Sequence, residues 1–489
     1  LMPLTVYCSL LVTIINTVIT IEATTQLDFA LANYYRKSMT ENNKHCALLW
    51  SHLSNEPGGT IRTCCIAKDR LRNSNHDDFT LGDNTVKEIF TSPAVQRIRN
   101  EILNGGQPDN CETCWIDEDN GKKSKRQQYN EYYDNWYGPN FIDWEHEPQN
   151  VVDLQLIFDN TCNLACRSCN ANYSSKWVAE AKERHIPYWE SSAKVPMNDM
   201  ENSKFWTSMD EWLPGIRRLE IMGGEPFYMK EFKKFVDKLI NENYSQNISM
   251  TLSTNGTIAD PVFLQRMASN FKELSFSISI DGIEDRFEYL RHPGKWSEVK
   301  KNLDYFYELH TGDYPVHMQI THTITALNIM YLPEFHDYFH EHYPTFKIWN
   351  NIAHYPKWMT ASVLPAFTRK TLTQMLQEHT WTPEYKSEVD ALINYMNAPM
   401  YENGSSVDEK LREKVSKEKL LMFDQKSTEN KWNIFKSQIT GGDHYREENF
   451  TEVFPELYEL IKQDFDYDKE YEVVLKNGYK QHSTRELVH

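Results

Sequence analysis

Alternating apolar and polar positions organise the middle of the chain, where strand patterns and helix patterns follow each other in turn. A period of two predicts strands at residues 153–158, 215–222, 248–254, 273–280, 316–325 and 345–349. A helical period predicts the helices between them at residues 174–183, 229–243, 260–270, 296–309 and 331–343. Strands that are joined by crossover helices form a parallel sheet. The pattern therefore predicts an α/β fold with a partial (β/α)6 TIM-like barrel, whose C-terminal strand ends share one active face.

The regions on either side of this barrel follow other patterns. Residues 84–103 form a predicted helix that Gly105-Gly106 ends, and amphipathic helices are predicted at 368–398, 406–422 and 453–463. We expect a cysteine-rich module, a linker, the barrel and a helical extension that covers an open side or an end of the barrel. Their expected bounds are 39–130, 131–150, 151–358 and 359–489.

The N-terminal run Thr5–Ile21 is uncharged, rich in β-branched residues and as long as a signal peptide, but no basic segment precedes it. It is either a membrane anchor or part of a leader upstream of a natural start at Met39. We expect the second, so that residues 1–38 are a non-native or disordered leader.

The charge balance argues against nucleic acid as a partner. The 489 residues include 52 basic and 70 acidic side chains, a net charge of −18, which repels a phosphate backbone. The nine cysteines are clustered and odd in number, which argues for a reducing compartment. We expect a cytoplasmic protein that does not associate with a membrane.

Three cysteines, Cys162, Cys166 and Cys169, lie within eight residues in a loop after the first predicted barrel strand. Thiolates at this spacing are typical metal or cluster ligands. A structural zinc site needs four protein ligands, and no further Cys or His follows within a dozen residues. Three thiolates suit a four-iron cluster with one open iron, although zinc and unliganded core cysteines remain alternatives.

A second cysteine system precedes the barrel. Cys46, Cys64, Cys111 and Cys114 supply four thiolates, and Gly58-Gly59 allows the tight turn that such a site needs. Four thiolates close either a zinc site or a four-iron cluster, and by chemistry alone zinc is favoured. Cys65 could replace Cys64 as a ligand.

Further candidate residues stand at the C-terminal ends of the predicted barrel strands. Gly223-Gly224-Glu225-Pro226 combines glycines that let the backbone approach a ligand with a carboxylate that can accept hydrogen bonds from an ammonium group. Taken alone, this segment is more often a plain turn. Asn255, Ser279 and Asp281 follow at or just beyond later strand ends, so we expect them on the same face. His322 and Asn328 are interpreted as a core histidine and a helix cap.

The Cys-x3-Cys-x2-Cys spacing, followed by Gly-Gly-Glu-Pro, resembles the signature of the radical S-adenosylmethionine (radical SAM) superfamily, with Ser168 where that family usually has an aromatic residue. The resemblance implies that Cys162, Cys166 and Cys169 hold a 4Fe–4S cluster whose open iron binds SAM. It implies that the Gly-Gly-Glu-Pro segment binds the amino group of SAM. It also implies that Ser279 and Arg291 help to hold the methionyl carboxylate or the ribose, since an arginine meets a carboxylate with two hydrogen bonds.

The same resemblance implies an activity: reductive cleavage of SAM to methionine and a 5′-deoxyadenosyl radical, which removes hydrogen from a substrate. The electron would come from a donor such as a flavodoxin or ferredoxin. The Cys46-x12-Gly59-x4-Cys64 spacing resembles the opening half of SPASM or twitch domains, which carry auxiliary 4Fe–4S clusters, although in those families the domain follows the barrel. A peptide or protein substrate is expected on this basis. A tRNA-modifying enzyme and a non-catalytic zinc- or cluster-binding protein are the alternatives.

Overall fold

The computed structural model describes residues 45–119, 123–139, 141–144, 146–186, 203–398 and 417–477, without the side chains of 417–427 and 477. The predicted leader and the proposed start at Met39 lie outside these residues, as does most of the helix predicted at 406–422.

The described residues form an eight-stranded sheet in the order β2-β1-β3-β4-β5-β6-β7-β8. Neighbouring strands are parallel except β1 and β2, which are antiparallel. The strands are β1 (His52–Asn55), β2 (Ile61–Arg62), β3 (Asp153–Ile157), β4 (Arg218–Met222), β5 (Ser249–Thr254), β6 (Glu273–Ser279), β7 (Val316–Ile324) and β8 (Lys347–Ile352).

The predicted fold class is confirmed. Strands β3 to β8 are the six predicted barrel strands, in sequence order and all parallel, as expected for strands that are joined by crossover connections through helices. The helices of this region are α6 (Ser175–Glu183), α7 (Lys204–Thr207), α8 (Met209–Trp212), α9 (Lys230–Asn241), α10 (Pro261–Asn270), α11 (Glu284–Leu290), α12 (Trp296–Thr311) and α13 (Leu332–His342).

The two faces of the sheet differ because side chains alternate along a strand. One face is apolar and fully buried, as with Leu252, Phe276 and Ile320, which are at most 1% exposed. Helices cover this face, and Phe276 packs against Phe306 of α12 with ring centroids 5.7 Å apart. The other face carries half-buried polar side chains, so the barrel strands present a polar surface on that side.

The N-terminal region contains two strands that the sequence pattern does not reveal. Strand β1 is parallel to β3 and pairs His52 with Asp153, so it extends the barrel sheet at its first edge. The helices of this region are α1 (Ala47–Ser51), α2 (Val86–Phe90), α3 (Pro93–Leu103), α4 (Glu112–Asp119) and α5 (Lys125–Tyr137). The single helix predicted at 84–103 is therefore two, because Ser92 caps α3 and Pro93 begins it.

Contacts divide the chain into two compact units. Among the described residues, the first contains residues 45–50, Ile66–Asp69 and those of Ser92–Glu147, and the second contains Ser51–Cys65, Arg70–Thr91 and those that follow Glu147. The domain boundaries expected from the sequence stay a prediction.

The C-terminal region is helical, as predicted. Its helices are α14 (Ala366–Glu378), α15 (Pro383–Asn397), α16 (Lys417–Arg446), α17 (Phe450–Val453), α18 (Pro455–Ile461) and α19 (Tyr467–Asn477). Buried side chains such as Phe435, Phe450 and Leu457 form one hydrophobic cluster with Leu290 and Leu327 of the barrel region. The extension therefore packs on the barrel beside α11 and the end of β7. No helix in the described ranges is long and apolar enough to cross a membrane.

Candidate functional site

The cysteine loop lies between β3 and α6, and its backbone is fixed by hydrogen bonds to distant parts of the chain. The Ala165 N–H donates to the His292 carbonyl at 2.7 Å, and the Arg167 N–H donates to the Leu290 carbonyl at 2.8 Å. The Trp177 indole N–H donates to the Cys166 carbonyl at 2.7 Å. The loop therefore has a defined path although it contains no regular secondary structure.

The three thiols of this loop interact electrostatically with one another. Burial raises the pKa of Cys162 to about 12 and also raises the pKa values of Cys166 and Cys169. Donors nevertheless face the sulfurs: the amide of Asn255 lies 3.9 Å from Cys162 Sγ, and Arg291 Nη1 lies 3.9 Å from Cys166 Sγ. A cation and N–H donors beside sulfur stabilise the thiolate, which is the form of cysteine that binds metals.

The described side chains form no ready-made group of three His, Cys, Asp or Glu ligands for a single metal ion. The donor set of the loop fits an iron–sulfur cluster, because it supplies three thiols, and N–H donors of the kind that surround cluster sulfurs face two of them, Cys162 and Cys166. Cys162, Cys166 and Cys169 are thus the residues that could hold such a cluster.

The Gly223-Gly224 turn lies against the same loop. Both glycines have positive φ, +73° and +48°. A Cβ on Gly224 would lie 2.4 Å from the carbonyl oxygen of Thr161, and one on Gly223 would lie 2.4 Å from a methyl group of Ile157. Only glycine fits at either position, as expected for a segment in which backbone approaches backbone closely.

Glu225 is fully buried, and its carboxylate accepts hydrogen bonds from protein groups. Oε1 accepts from Thr254 Oγ1 at 2.9 Å and from the Phe227 N–H at 3.1 Å, and Oε2 accepts from the Asn255 N–H at 2.7 Å. Burial raises the pKa of Glu225 to about 7. The carboxylate joins the C-terminal ends of β4 and β5, while Pro226 begins the short helical turn that Glu225 caps. The predicted contact with an ammonium group stays a prediction.

Asn255 connects Glu225 to the cysteine loop. Its side-chain amide donates to Asn163 Oδ1 at 2.9 Å and its Oδ1 accepts from the Thr257 N–H at 2.9 Å. Asn163 in turn donates to Thr257 Oγ1 at 2.9 Å. Asn163 and Thr257 were not singled out from the sequence, because a polar residue in a loop carries no signal of its partner.

A buried ion pair stands on the other side of the loop. Arg291 Nη2 lies 2.9 Å from Asp281 Oδ2, with side-chain exposures of 9% and 3%. Asp281 Oδ1 accepts from the Thr323 N–H at 2.9 Å, so the pair also joins β6 to β7. Ser279 ends β6 and lies opposite Thr321 of β7.

The structure therefore brings the predicted segments together at the C-terminal end of the sheet. One chain of contacts runs from Cys162 through Asn255 to Glu225, and another runs from Cys166 through Arg291 to Asp281. Their roles in holding a cofactor stay predictions.

His322 and Asn328 have structural environments. His322 is buried against Phe335 with ring centroids 4.0 Å apart, and burial lowers its pKa to about 4. Asn328 stands before a helical turn, but its side chain caps no helix N–H. It accepts from the Thr325 N–H and donates to the Asp281 carbonyl instead. His322 is the expected core histidine, and Asn328 occupies the expected N-cap position without forming the side-chain capping hydrogen bond.

The N-terminal cysteines are divided between the two compact units. Cys46, Cys111 and Cys114 belong to the first unit, and Cys64 and Cys65 belong to the second. Burial raises the pKa of the Cys114 thiol, while Cys65 is exposed. The predicted auxiliary metal site stays a prediction.

Residues 156–343 match the family model described as the radical SAM superfamily. Among curated proteins, the GTP 3′,8-cyclase of Helicobacter pylori is 25% identical over 139 residues, which are 27% of this chain and 36% of that protein. The GTP 3′,8-cyclase of Desulforamulus reducens is 26% identical over 167 residues, 33% of this chain and 44% of that protein. The chain thus spans less than half the length of these curated relatives.

Two solved structures align over a larger share of the chain than these curated relatives do. The structure described as native anSMEcpe with bound AdoMet covers 46% of this chain and 59% of its own, at 18% identity and a TM-score of 0.32. Streptococcus suis SuiB bound to S-adenosylmethionine covers 49% of this chain and 45% of its own, at 14% identity and a TM-score of 0.29.

Proposed function

Residues 156–343 belong to the radical SAM superfamily, and from this premise we propose that the chain is an enzyme that cleaves SAM reductively and removes hydrogen from a substrate. Cys162, Cys166 and Cys169 would hold the 4Fe–4S cluster that this family implies. The observation that carries the proposal is the convergence of these thiols with Glu225, Asn255, and the Asp281–Arg291 ion pair at one end of the sheet.

The bound cluster and SAM would together supply the one-electron cleavage and the radical that abstracts hydrogen. The protein's own residues supply position and charge. Gly223 and Gly224 leave backbone room beside the loop, and Glu225 fixes the strand ends that carry the site. Arg291 supplies a buried cation beside Cys166, which favours an anionic ligand or a thiolate at this place.

We further propose a second 4Fe–4S cluster on Cys46, Cys111, Cys114 and either Cys64 or Cys65, with zinc as the alternative occupant. Such a cluster would relay electrons from a flavodoxin- or ferredoxin-like donor, or accept one from the substrate radical. A protein with this chemistry is expected in a reducing, cytoplasmic compartment.

The open polar face of the barrel strands supports a peptide or protein as substrate. On the C-terminal halves of β5 to β8, this face carries hydroxyl and amide groups, and the cation Lys347 lies at the opposite end of β8. The side chains are Ser253, Ser277, Ser279, Thr321, Thr323 and Asn351. Neutral donors and acceptors suit peptide groups.

A nucleotide is the second candidate, since the curated relatives are named GTP 3′,8-cyclases. A triphosphate requires Arg or Lys contacts or a metal ion, and the face just described offers it hydroxyl and amide groups instead. This difference in charge favours the peptide.

Anaerobic reconstitution tests the proposed activity. The protein is loaded with iron and sulfide, and 5′-deoxyadenosine is measured after SAM and dithionite are added. Wild type and Ser168→Ala, which changes the same loop without removing a thiol, are expected to release 5′-deoxyadenosine, whereas Cys162→Ala is expected to release none. Equal release from Cys162→Ala and wild type, or none from wild type with about four irons bound, would contradict the proposal.

Substrate class is tested with the same reconstituted protein. Incubation with SAM, dithionite and either GTP or a library of short peptides is followed by mass spectrometry of both. A mass change confined to GTP would refute the peptide proposal, and a change of two hydrogens or a new linkage in a peptide would support it.

A further inference from the structure

Arg167, in the middle of the cysteine loop, is a buried cation that the proposed chemistry does not use. Its Nη2 lies 2.5 Å from Asp443 Oδ1 and 2.6 Å from Glu448 Oε2. Its guanidinium also lies 3.6 Å from the centroid of the Tyr289 ring. Both carboxylates belong to the C-terminal extension, some 280 residues away in sequence, so this arginine ties the loop to the extension.

Asp443 is fully buried, and both of its carboxylate oxygens have partners. Oδ1 accepts from Arg167 and from the Tyr289 hydroxyl at 2.7 Å. Oδ2 accepts from the Phe450 N–H at 2.8 Å and from the Tyr467 hydroxyl at 2.8 Å. Four donors on one carboxylate hold it in a single orientation, so the position of Arg167 is defined as well.

A second arginine, Arg446 at the end of α16, contacts the same loop from the extension. Its Nη2 donates to the Ala165 carbonyl at 2.7 Å and to Glu180 Oε2 at 2.8 Å. Its guanidinium also lies over the ring of Trp177, whose indole N–H donates to the Cys166 carbonyl. The backbone at residues 165 and 166, and the side chain at 167, are therefore all held by these contacts.

The sequence of α16 is adapted to this contact at Gly442. A Cβ at this position would lie 2.7 Å from Arg167 Nη1. Glycine is an unfavourable residue inside a helix, and here it leaves the space through which the guanidinium reaches Asp443. A helix that only covered the barrel would have no reason for a glycine at this place.

We infer that the segment Gly442–Glu448 positions the cysteine loop for its cluster, and we name it the loop clamp. The inference rests on the proposed function, because the ligand is the 4Fe–4S cluster proposed for Cys162, Cys166 and Cys169. Arg167, Asp443 and Arg446 are positioning residues that act through the loop backbone. The clamp fixes the three thiols before the cluster binds and slows cluster loss afterwards, as partners around metal ligands do.

The test uses full-length protein with three single substitutions. Asp443→Asn removes one of the two carboxylate charges that hold Arg167, and Gly442→Ala places a methyl group against the guanidinium while raising helix propensity. Ile439→Val is the matched control, because Ile439 lies on the same helix, is fully buried and packs in the hydrophobic cluster of the extension. Melting curves of the iron-free proteins establish which variants fold.

Three measurements follow. Hydrogen exchange of the iron-free proteins reports the opening of residues 162–170, chelator-driven iron release from the reconstituted proteins reports cluster retention, and the EPR spectrum reports the surroundings of the reduced cluster. We expect Asp443→Asn and Gly442→Ala to exchange this segment faster and to lose iron about 10- to 100-fold faster than wild type, with a changed EPR spectrum of the reduced cluster. Ile439→Val is expected to match wild type in all three.

The outcomes separate this inference from the proposed function. Wild type that binds no iron at the triad contradicts the proposed function itself. Wild type that binds a cluster, with a folded Gly442→Ala protein that matches it in exchange, iron release and EPR spectrum, overturns the clamp alone. Because alanine favours the helix, Gly442→Ala keeps the test decisive even if Asp443→Asn does not fold.

Discussion

The buried Asp281–Arg291 ion pair allows a quantitative test of how the site is held. In the variant Asp281→Asn the shape and one oxygen of the side chain remain, but Arg291 loses its only close carboxylate in the described structure. With 9% of the arginine side chain and 3% of the aspartate exposed, water compensates the stranded cation poorly. Removing one partner of a buried pair costs about 3–5 kcal/mol.

A hydrogen bond to Asp281 places the expected cost of the Asp281→Asn substitution at the lower end of this range. Asparagine can still accept the Thr323 N–H at the Oδ1 position, which preserves a hydrogen bond of about 1 kcal/mol. The loss is therefore mainly that of the charge, and we expect the free energy of unfolding to fall by about 3 kcal/mol. Urea unfolding at pH 7, followed by far-ultraviolet circular dichroism, measures it.

Asp237→Asn is the matched control, since Asp237 pairs with Arg266 at the surface with exposures of 45% and 39%. The same chemical change should there cost no more than about 1 kcal/mol. If Asp281→Asn costs no more than this control, the pair does not hold Arg291 beside the cysteine loop, and the electrostatic part of the account fails.

Further predictions concern the glycine turn, the buried histidine and the auxiliary cysteines. Gly224→Ala should lower the melting temperature and the iron bound per chain, since its φ is positive and its Cβ would lie 2.4 Å from the Thr161 carbonyl. Gly312→Ala, with its nearest contact at 3.2 Å to the Glu308 carbonyl, should lower the melting temperature less and leave the bound iron unchanged. Burial lowers the pKa of His322 to about 4, so this group lowers the free energy of unfolding of wild type by about 1.4 kcal/mol per pH unit as the pH falls below 6.5. In urea titrations, the difference in free energy of unfolding between wild type and His322→Asn should therefore shrink by about 2 kcal/mol from pH 6.5 to 5. A difference that does not change with pH would contradict this. Of Cys64→Ser and Cys65→Ser, only one should lower the metal bound outside the triad, measured by iron and zinc analysis, and no loss from either would remove both from the proposed auxiliary site.

The barrel strands could be predicted from the sequence because each has an alternating pattern with one buried apolar face. Strand β6, Glu273–Ser279, is the clearest case, with Leu274, Phe276 and Ile278 buried and the serines between them half-buried. Strand β1, His52–Asn55, has no such signal, because all four of its residues are buried. Two of them are polar residues that hydrogen-bond to β3: Ser54 bonds to Gln155, and Asn55 bonds to the backbone of Ile157. Its place in the sheet depends on pairing with a strand a hundred residues later, which periodicity does not encode.

The site residues that could be predicted are those whose chemical role is visible within a short motif of the sequence. Cys162, Glu225 and Asp281 each stand at a strand end, and topology alone brings strand ends together. The loop clamp was missed because Arg167 and Asp443 are 276 residues apart and neither sequence neighbourhood identifies its partner. The one available signal was Arg167 itself, a charged residue between two candidate ligands in a loop that must be buried.

The central claim is that the thiols of Cys162, Cys166 and Cys169 hold a four-iron cluster whose open iron binds SAM. The most direct measurement is the EPR spectrum of dithionite-reduced, reconstituted protein in which Cys46, Cys64, Cys65, Cys111 and Cys114 are all serine. We predict a reduced-cluster signal that shifts when SAM is added. A protein with no such signal, or with a signal that SAM leaves unchanged, would contradict the claim.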